Sequence, residues 1–295
     1  MSISAEQKKG AIFAIAAYVM WGLAPIYFKL IDSIDAIEIL VHRVVWSSAL
    51  LVVFMLVAKH WSKVQVMLRQ PKQLAVLALS ACLLGFNWGM FIWAVNNEHM
   101  LDASLGYYIN PLLNVLLGMM FLGERLNGWQ KFAVFSAFSG VVIQLVSFGS
   151  FPVISFALAG SFAIYGLLRK KVSVDAVTGL LFESLFLLPL ALFYWWGYID
   201  SNTSDITQNN WIVNGLLIAT GIVTTAPLLC FIGGARRLQY STMGFFQYIG
   251  PSLMFILGVF VYGEVVGQDR WVSFGFIWFG LIVYSLDAYF KLKRK

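Results

Sequence analysis

Apolar runs of about 20 residues, separated by only a few polar ones, succeed one another from Gly10 to Phe290, and this succession limits the fold more than any single motif. In hydrocarbon every backbone N–H and C=O needs a partner inside the protein, so a spanning chain is either helical or a closed barrel. A barrel strand alternates between lipid-facing and lumen-facing residues, and these runs do not alternate. With 60% hydrophobic and 12% charged residues in 295, little polar surface remains for a separate soluble domain. The expected fold class is an all-α polytopic membrane protein. Its ten transmembrane helices fall near 11–31, 36–58, 72–95, 102–122, 128–147, 151–168, 174–196, 211–234, 241–262 and 270–290. Lys8 and Lys9 precede the first run, but no small-x-small site follows it, so it is expected to remain as a helix and not to act as a signal peptide.

The cations test that count. With a cytoplasmic N-terminus, ten spans put all of the 20 Lys and Arg residues on the inner side except Lys29, Arg43 and Arg270, while Asp32, Asp35, Glu98, Asp102, Asp200 and Asp205 fall outside. That is the bias by which membrane proteins orient, and it places both termini in the cytoplasm. The net charge of +6 is then a basic face against anionic lipid headgroups, and no nucleic acid is expected as a partner.

One stretch occurs twice. Pro111 to Glu124 shares the pattern P-x-L-x-x-x-L-G-x-x-x-x-G-E with Pro251 to Glu264. Gly140 and Gly280 continue the same interval of 140 residues. Shared apolar positions are common in such a chain, but a proline, two glycines and a glutamate in one register point to an internal duplication. The two units are expected at 1–148 and 149–295, meeting near Gly149 to Pro152. Five helices per unit force the second to enter the bilayer upside down relative to the first. Inverted five-helix repeats are a transporter arrangement, with a substrate site near the midplane opened to each face in turn.

These residues also carry a family resemblance. Met20-Trp21-Gly22 with Pro25, the repeated Gly-Glu after a Pro-led helix, and the five-plus-five layout resemble the EamA-type drug/metabolite transporter superfamily. Glu38-Ile39-Leu40-Val41-His42-Arg43-Val44-Val45-Trp46-Ser47, Phe86-Asn87-Trp88 and Gly106-Tyr107-Tyr108-Ile109-Asn110-Pro111-Leu112 resemble its RarD branch. The resemblance implies a basket of ten helices around a cavity, exporting small metabolites or drugs across the bacterial inner membrane. Some members of the branch are named for chloramphenicol sensitivity. The second unit departs from the first, with Tyr165-Gly166 standing where Trp21-Gly22 does and Glu183 where Arg43 does.

A charge inside a span costs about 2.5–3.5 kcal/mol on insertion scales, so each one needs a reason. Arg43, roughly 12 Å below the outer end of its helix, is expected to face the interior, either at a substrate or in a structural ion pair. Glu183 stands 140 positions later and is the expected partner across the inverted repeat. His42 adjoins Arg43 but points about 100° away, so it is either a proton carrier or a histidine bonded to a neighbouring helix. Tyr18, Trp21, Asn87, Trp88, Tyr107 and Asn110 are cavity candidates as stacking walls and hydrogen-bonding groups, with core filling as the alternative. Pro25, Pro111, Pro227 and Pro251 interrupt spans and are hinge candidates, with packing an equal explanation. Glu124 and Glu264 each follow a glycine at a helix end and suggest loop architecture, with Asn127 and Gln130 starting the next helix.

No phosphate-binding loop, metal-spaced His/Cys/acid cluster or nucleophile beside a base occurs, so neither an enzyme nor a cofactor is expected. Cys82 and Cys230 lie in apolar runs and suit packing. The expected partners are a small-molecule substrate and the lipid bilayer, with protons as one coupling and facilitated diffusion another. A basket of ten helices encloses a cavity alone, so a functional monomer is expected. A selective channel and a non-transporting sensor or scaffold are the competing readings.

Overall fold

The computed structural model describes residues 5–97, 99–149, 151–198, 205–263 and 267–293. Its α-helices are α1 (Ala5–Phe28), α2 (Ala36–Val57), α3 (Trp61–Leu68), α4 (Pro71–Asn96), α5 (Met100–Leu122) and α6 (Gly128–Phe148). They continue with α7 (Val153–Lys171), α8 (Ala176–Tyr198), α9 (Trp211–Ala235), α10 (Tyr240–Gln247), α11 (Ile249–Ile256) and α12 (Gln268–Lys293). No strand occurs among the described residues. Glu264 lies outside them.

Nine stretches among the described residues are long and apolar enough to cross a membrane. The expected count was ten. α12 is not among these nine. Two further details depart from the sequence reading. The short helix α3 fills what looked like a loop, and the expected span 241–262, matched by the candidate crossing Tyr240–Val261, is not one continuous α-helix. α10 ends at Gln247, α11 follows after Tyr248 with Pro251 in its first turn, and a π-helical turn, Leu257–Val261, completes the crossing. Proline has no N–H to continue the ladder, and a wide π turn commonly marks a functional region.

Local chemistry sets the helix ends. Asp35 accepts from the N–H of Ile37 at 2.8 Å and starts α2, and Asp175 accepts from the N–H of Thr178 at 3.1 Å and starts α8. Asn127 and Gln130 form the expected capping box at the start of α6. Gly123 and Gly263, from the two copies of the motif, both adopt left-handed φ, 64° and 68°, which a β-carbon disfavours. The element starts keep the interval of 140 as well: Ala36 and Ala176, Pro71 and Trp211, Met100 and Tyr240, Gly128 and Gln268.

α6 and α12 form the closest pair, and their contacts are reciprocal. A β-carbon on Gly140 would meet the carbonyl oxygen of Ser273 at 2.7 Å, and one on Gly280 would meet that of Ala133 at 2.7 Å. As the residue number rises along α6 it falls along α12, so the two run antiparallel. Elsewhere α1 packs on α9 and α11 as α7 packs on α4 and α5, while α2 meets α8 and α5 meets α10. The largest apolar cluster joins Tyr18, Leu51, Leu77, Tyr165, Leu180, Phe231 and Tyr240. Large apolar side chains such as Val57, Leu190 and Phe260 point outward, where lipid is their solvent, and Trp129, Trp196 and Trp211 sit exposed at helix ends as an interfacial belt.

Candidate functional site

A cavity of about 340 Å³ opens where α1, α2, α4, α5, α7, α9, α10 and α11 converge. Its walls follow from helix periodicity. On α1, Tyr18, Trp21, Pro25 and Phe28 recur at three- and four-residue steps and line one side. On α5, Ala103, Gly106, Tyr107 and Asn110 do the same opposite. Gly106 leaves no side chain between α5 and the carbonyl of Ser155, which lets α7 approach.

Arg43 is the one charged side chain in this lining among the described residues. Its Nε donates to Thr224 Oγ1 on α9 at 2.8 Å. The guanidinium lies over the rings of Trp88 at 4.8 Å and Phe28 at 5.8 Å, where the negative ring faces favour a cation. Amides complete the polar part. Asn87 donates to the Leu158 carbonyl at 2.8 Å and to Ser161 Oγ at 3.0 Å, and Asn110 donates to the Ala159 carbonyl at 2.6 Å. Both thereby hold α7, and Asn114 joins Asn110 at 3.3 Å to Gln247 on α10 at 2.7 Å.

All the sequence candidates except His42 and Glu183 line the cavity, as do Pro25 and Pro251. Pro111 lies inside α5 and Pro227 inside α9, away from the lining. His42 is fully buried on another face of α2. It accepts from Trp46 Nε1 at 3.1 Å, packs on the Trp195 ring at 4.5 Å and faces Glu38 at 3.9 Å. The 100° step between adjacent helical residues sends Arg43 inward and His42 towards α8.

The expected Arg43–Glu183 couple is not formed. Glu183 pairs with Arg169 at 3.5 Å and accepts from Tyr165 at 3.3 Å, and all three are fully buried. Arg169, in the last turn of α7, packs its guanidinium against Gly179 on α8, where any β-carbon would collide with it, and this sets its charge beside Glu183. A carboxylate removed from water is costly unless paired, and Arg169 supplies the countercharge here. The register relation located Glu183 but could not choose its partner.

Residues 8–146 match the EamA-like transporter family. Protein RarD of Salmonella typhimurium is 54% identical to this chain over 98% of its length and 99% of the relative's. This chain belongs to the RarD branch of the EamA-like transporter family. An uncharacterized transporter of Vibrio cholerae is 56% identical over 96% of this chain and 94% of its own. A protein crystal structure covering 94% of this chain and 97% of its own shares the fold, with a TM-score of 0.71 at 18% identity.

The EamA-like chain is thus a multi-pass membrane transporter, and its cavity contains groups that sequence reading missed. Thr224, which holds Arg43, had one signal, a polar residue in mid-span close to Pro227. Gln247 stands 140 positions after Tyr107, and both line the cavity, so the internal register could have found it. Phe28, Phe162 and Met254 had no signal, since nothing local separates a wall residue from an apolar core residue.

Proposed function

We propose that this chain is a secondary transporter of the bacterial inner membrane that exports a small metabolite or an amphipathic drug, chloramphenicol-like by resemblance. It carries its cargo by alternating access of the central cavity. The observation that carries the reading is the cavity itself: about 340 Å³, apolar-walled, with a few convergent polar groups, built by helices from both halves of the chain. Ten spanning helices in two inverted repeats, 1–148 and 149–295, with both termini cytoplasmic, suit it. The reciprocal contacts of Gly140 with Ser273 and Gly280 with Ala133, and the antiparallel run of α6 and α12, support that two-fold relation. In such a frame α10, α11 and the π turn beside Pro251 form the segment best suited to bend as one half rocks on the other. The chain acts as a monomer and performs no chemistry on its cargo.

The test is the unfolding midpoint of the detergent-purified protein against amino acids, small metabolites and amphenicol drugs, followed by flux in proteoliposomes for compounds that raise it. A ligand of the folded state adds about 2.7 kcal/mol at one hundred times its dissociation constant. Saturable, compound-selective stabilisation with matching flux supports the reading. A folded protein that binds and moves nothing across a broad panel refutes it.

A further inference from the structure

We propose that the cargo of the cavity is an organic carboxylate, its head held by the Arg43 guanidinium and its flat apolar body laid between Trp21, Trp88 and Tyr107. This rests on the transporter reading and names its substrate class. Arg43 brings a full positive charge into an otherwise uncharged lining. Among the described residues no Asp or Glu forms an ion pair with it, and its Nε donates to Thr224 at 2.8 Å. Neither terminal nitrogen donates a hydrogen bond to a described residue. The acid that the internal register offers, Glu183, is already bound to Arg169, and Glu38 faces His42. The countercharge is therefore left for the ligand to supply.

Geometry selects the kind of anion. Thr224 holds the Nε edge of the guanidinium and Trp88 lies 4.8 Å from its carbon, so the remaining fork of two terminal nitrogens presents the planar bidentate match to a carboxylate. One cation without a second beside it favours a monoanion over a phosphate ester. The walls around that fork are aromatic, which suits a flat apolar body against a charged head. A neutral amide or alcohol of the same shape would leave the cation uncompensated.

The experiment uses the full-length protein, purified and reconstituted, with matched pairs: indole-3-acetate against indole-3-acetamide, and benzoate against benzamide, with chloramphenicol and chloride as further arms. Binding is read from the unfolding midpoint and transport from uptake of labelled compound. The acids should bind at least about tenfold more tightly than their amides, the scale of a charge-assisted hydrogen bond. Arg43→Gln should abolish that preference, and Arg43→Lys should keep part of it. Thr224→Val, which retains the charge and the side-chain shape, should weaken the acids several-fold and serves if Arg43→Gln does not fold. Equal binding of acid and amide overturns the proposal, as does a preference that survives Arg43→Gln, or chloride alone competing fully with the acids. If amides or chloramphenicol are carried saturably without any acid preference, the transporter reading stands and the carboxylate assignment fails. If a folded protein moves none of the panel, both fail together.

Discussion

Ser136 on α6 donates a hydrogen bond of 2.7 Å to the main-chain oxygen of Phe276 on α12, a residue 140 positions further along the chain. Tyr248 donates to the carbonyl of Tyr108 across the same interval, at 3.3 Å. Positions that correspond in the two copies of the motif's register thus touch each other. The Ser136 bond joins the same two helices as the reciprocal glycine contacts of α6 and α12.

Because a β-carbon at either glycine would lie 2.7 Å from a backbone oxygen that cannot swing away, Gly140→Ala and Gly280→Ala should each destabilise the protein by about 1–3 kcal/mol, the usual cost of overpacking. The two losses should be similar in size. Gly275→Ala, with nothing within 4 Å of the added carbon, should be neutral or slightly stabilising. Unfolding midpoints in detergent decide this, and equal behaviour of all three variants would refute it.

Glu124 should matter to stability through its hold on α10. Its carboxylate accepts from the N–H of Tyr240 at 2.6 Å, the N–H of Ser241 at 2.9 Å and Ser241 Oγ at 2.7 Å. The acid after the first Gly-Glu turn thereby caps a helix of the other half of the chain. Glu124→Ala should cost about 0.5–2 kcal/mol, as the loss of a helix cap does. Glu124→Gln should fall between it and the parent. A midpoint unmoved by Glu124→Ala would show the cap to be dispensable.

Breaking the buried Arg169–Glu183 pair from one side should cost about 3–5 kcal/mol, since the survivor is left as an unpaired charge away from water. The double replacement Arg169→Met with Glu183→Leu should be markedly less damaging than either Arg169→Met or Glu183→Leu alone. Additive losses in a double-mutant cycle would contradict the pairing.

Asp175, in the connection between α7 and α8, gives a pH signature. Partial burial raises its pKa, but donation from Thr178 and the nearby Lys63 and Arg236 cations outweigh this and leave it below the usual carboxylate range. A lowered folded-state value means the ionised form stabilises the fold above the unfolded pKa, and this contribution is lost as pH falls through the folded one. Asp175→Asn should therefore unfold at a lower temperature than the parent at neutral pH, with the difference closing in the acidic range. A gap that stays constant with pH would place the effect in packing instead.

Much of the architecture was legible because lipid imposes a severe code. Backbone satisfaction in hydrocarbon demands helices of a set length, so runs such as 36–58 and 128–147 anticipate α2 and α6 to within a residue. The capping box of Asn127 and Gln130 was legible too, since it needs only neighbours in sequence. The break at Tyr248 was not, although Pro251 was visible, because continuing past a proline with a kink or a π turn depends on what packs around it.

Side-chain partners divide along the same line. Periodicity could say that His42 and Arg43 point in different directions, and the cost of a buried charge turned Arg43 inward, but neither named Thr224 as its partner. The register could set Glu183 opposite Arg43 in sequence space, yet Glu183 bonds to Arg169. The sequence by itself determined the helical class, the approximate spans and the register of 140, all consequences of local hydropathy and backbone chemistry. Only the tertiary structure decided which groups meet: Arg43 with Thr224, Glu124 with the start of α10, Gly140 with Ser273. Those contacts depend on the rotation and approach of whole helices, which are set by packing between elements far apart in the chain.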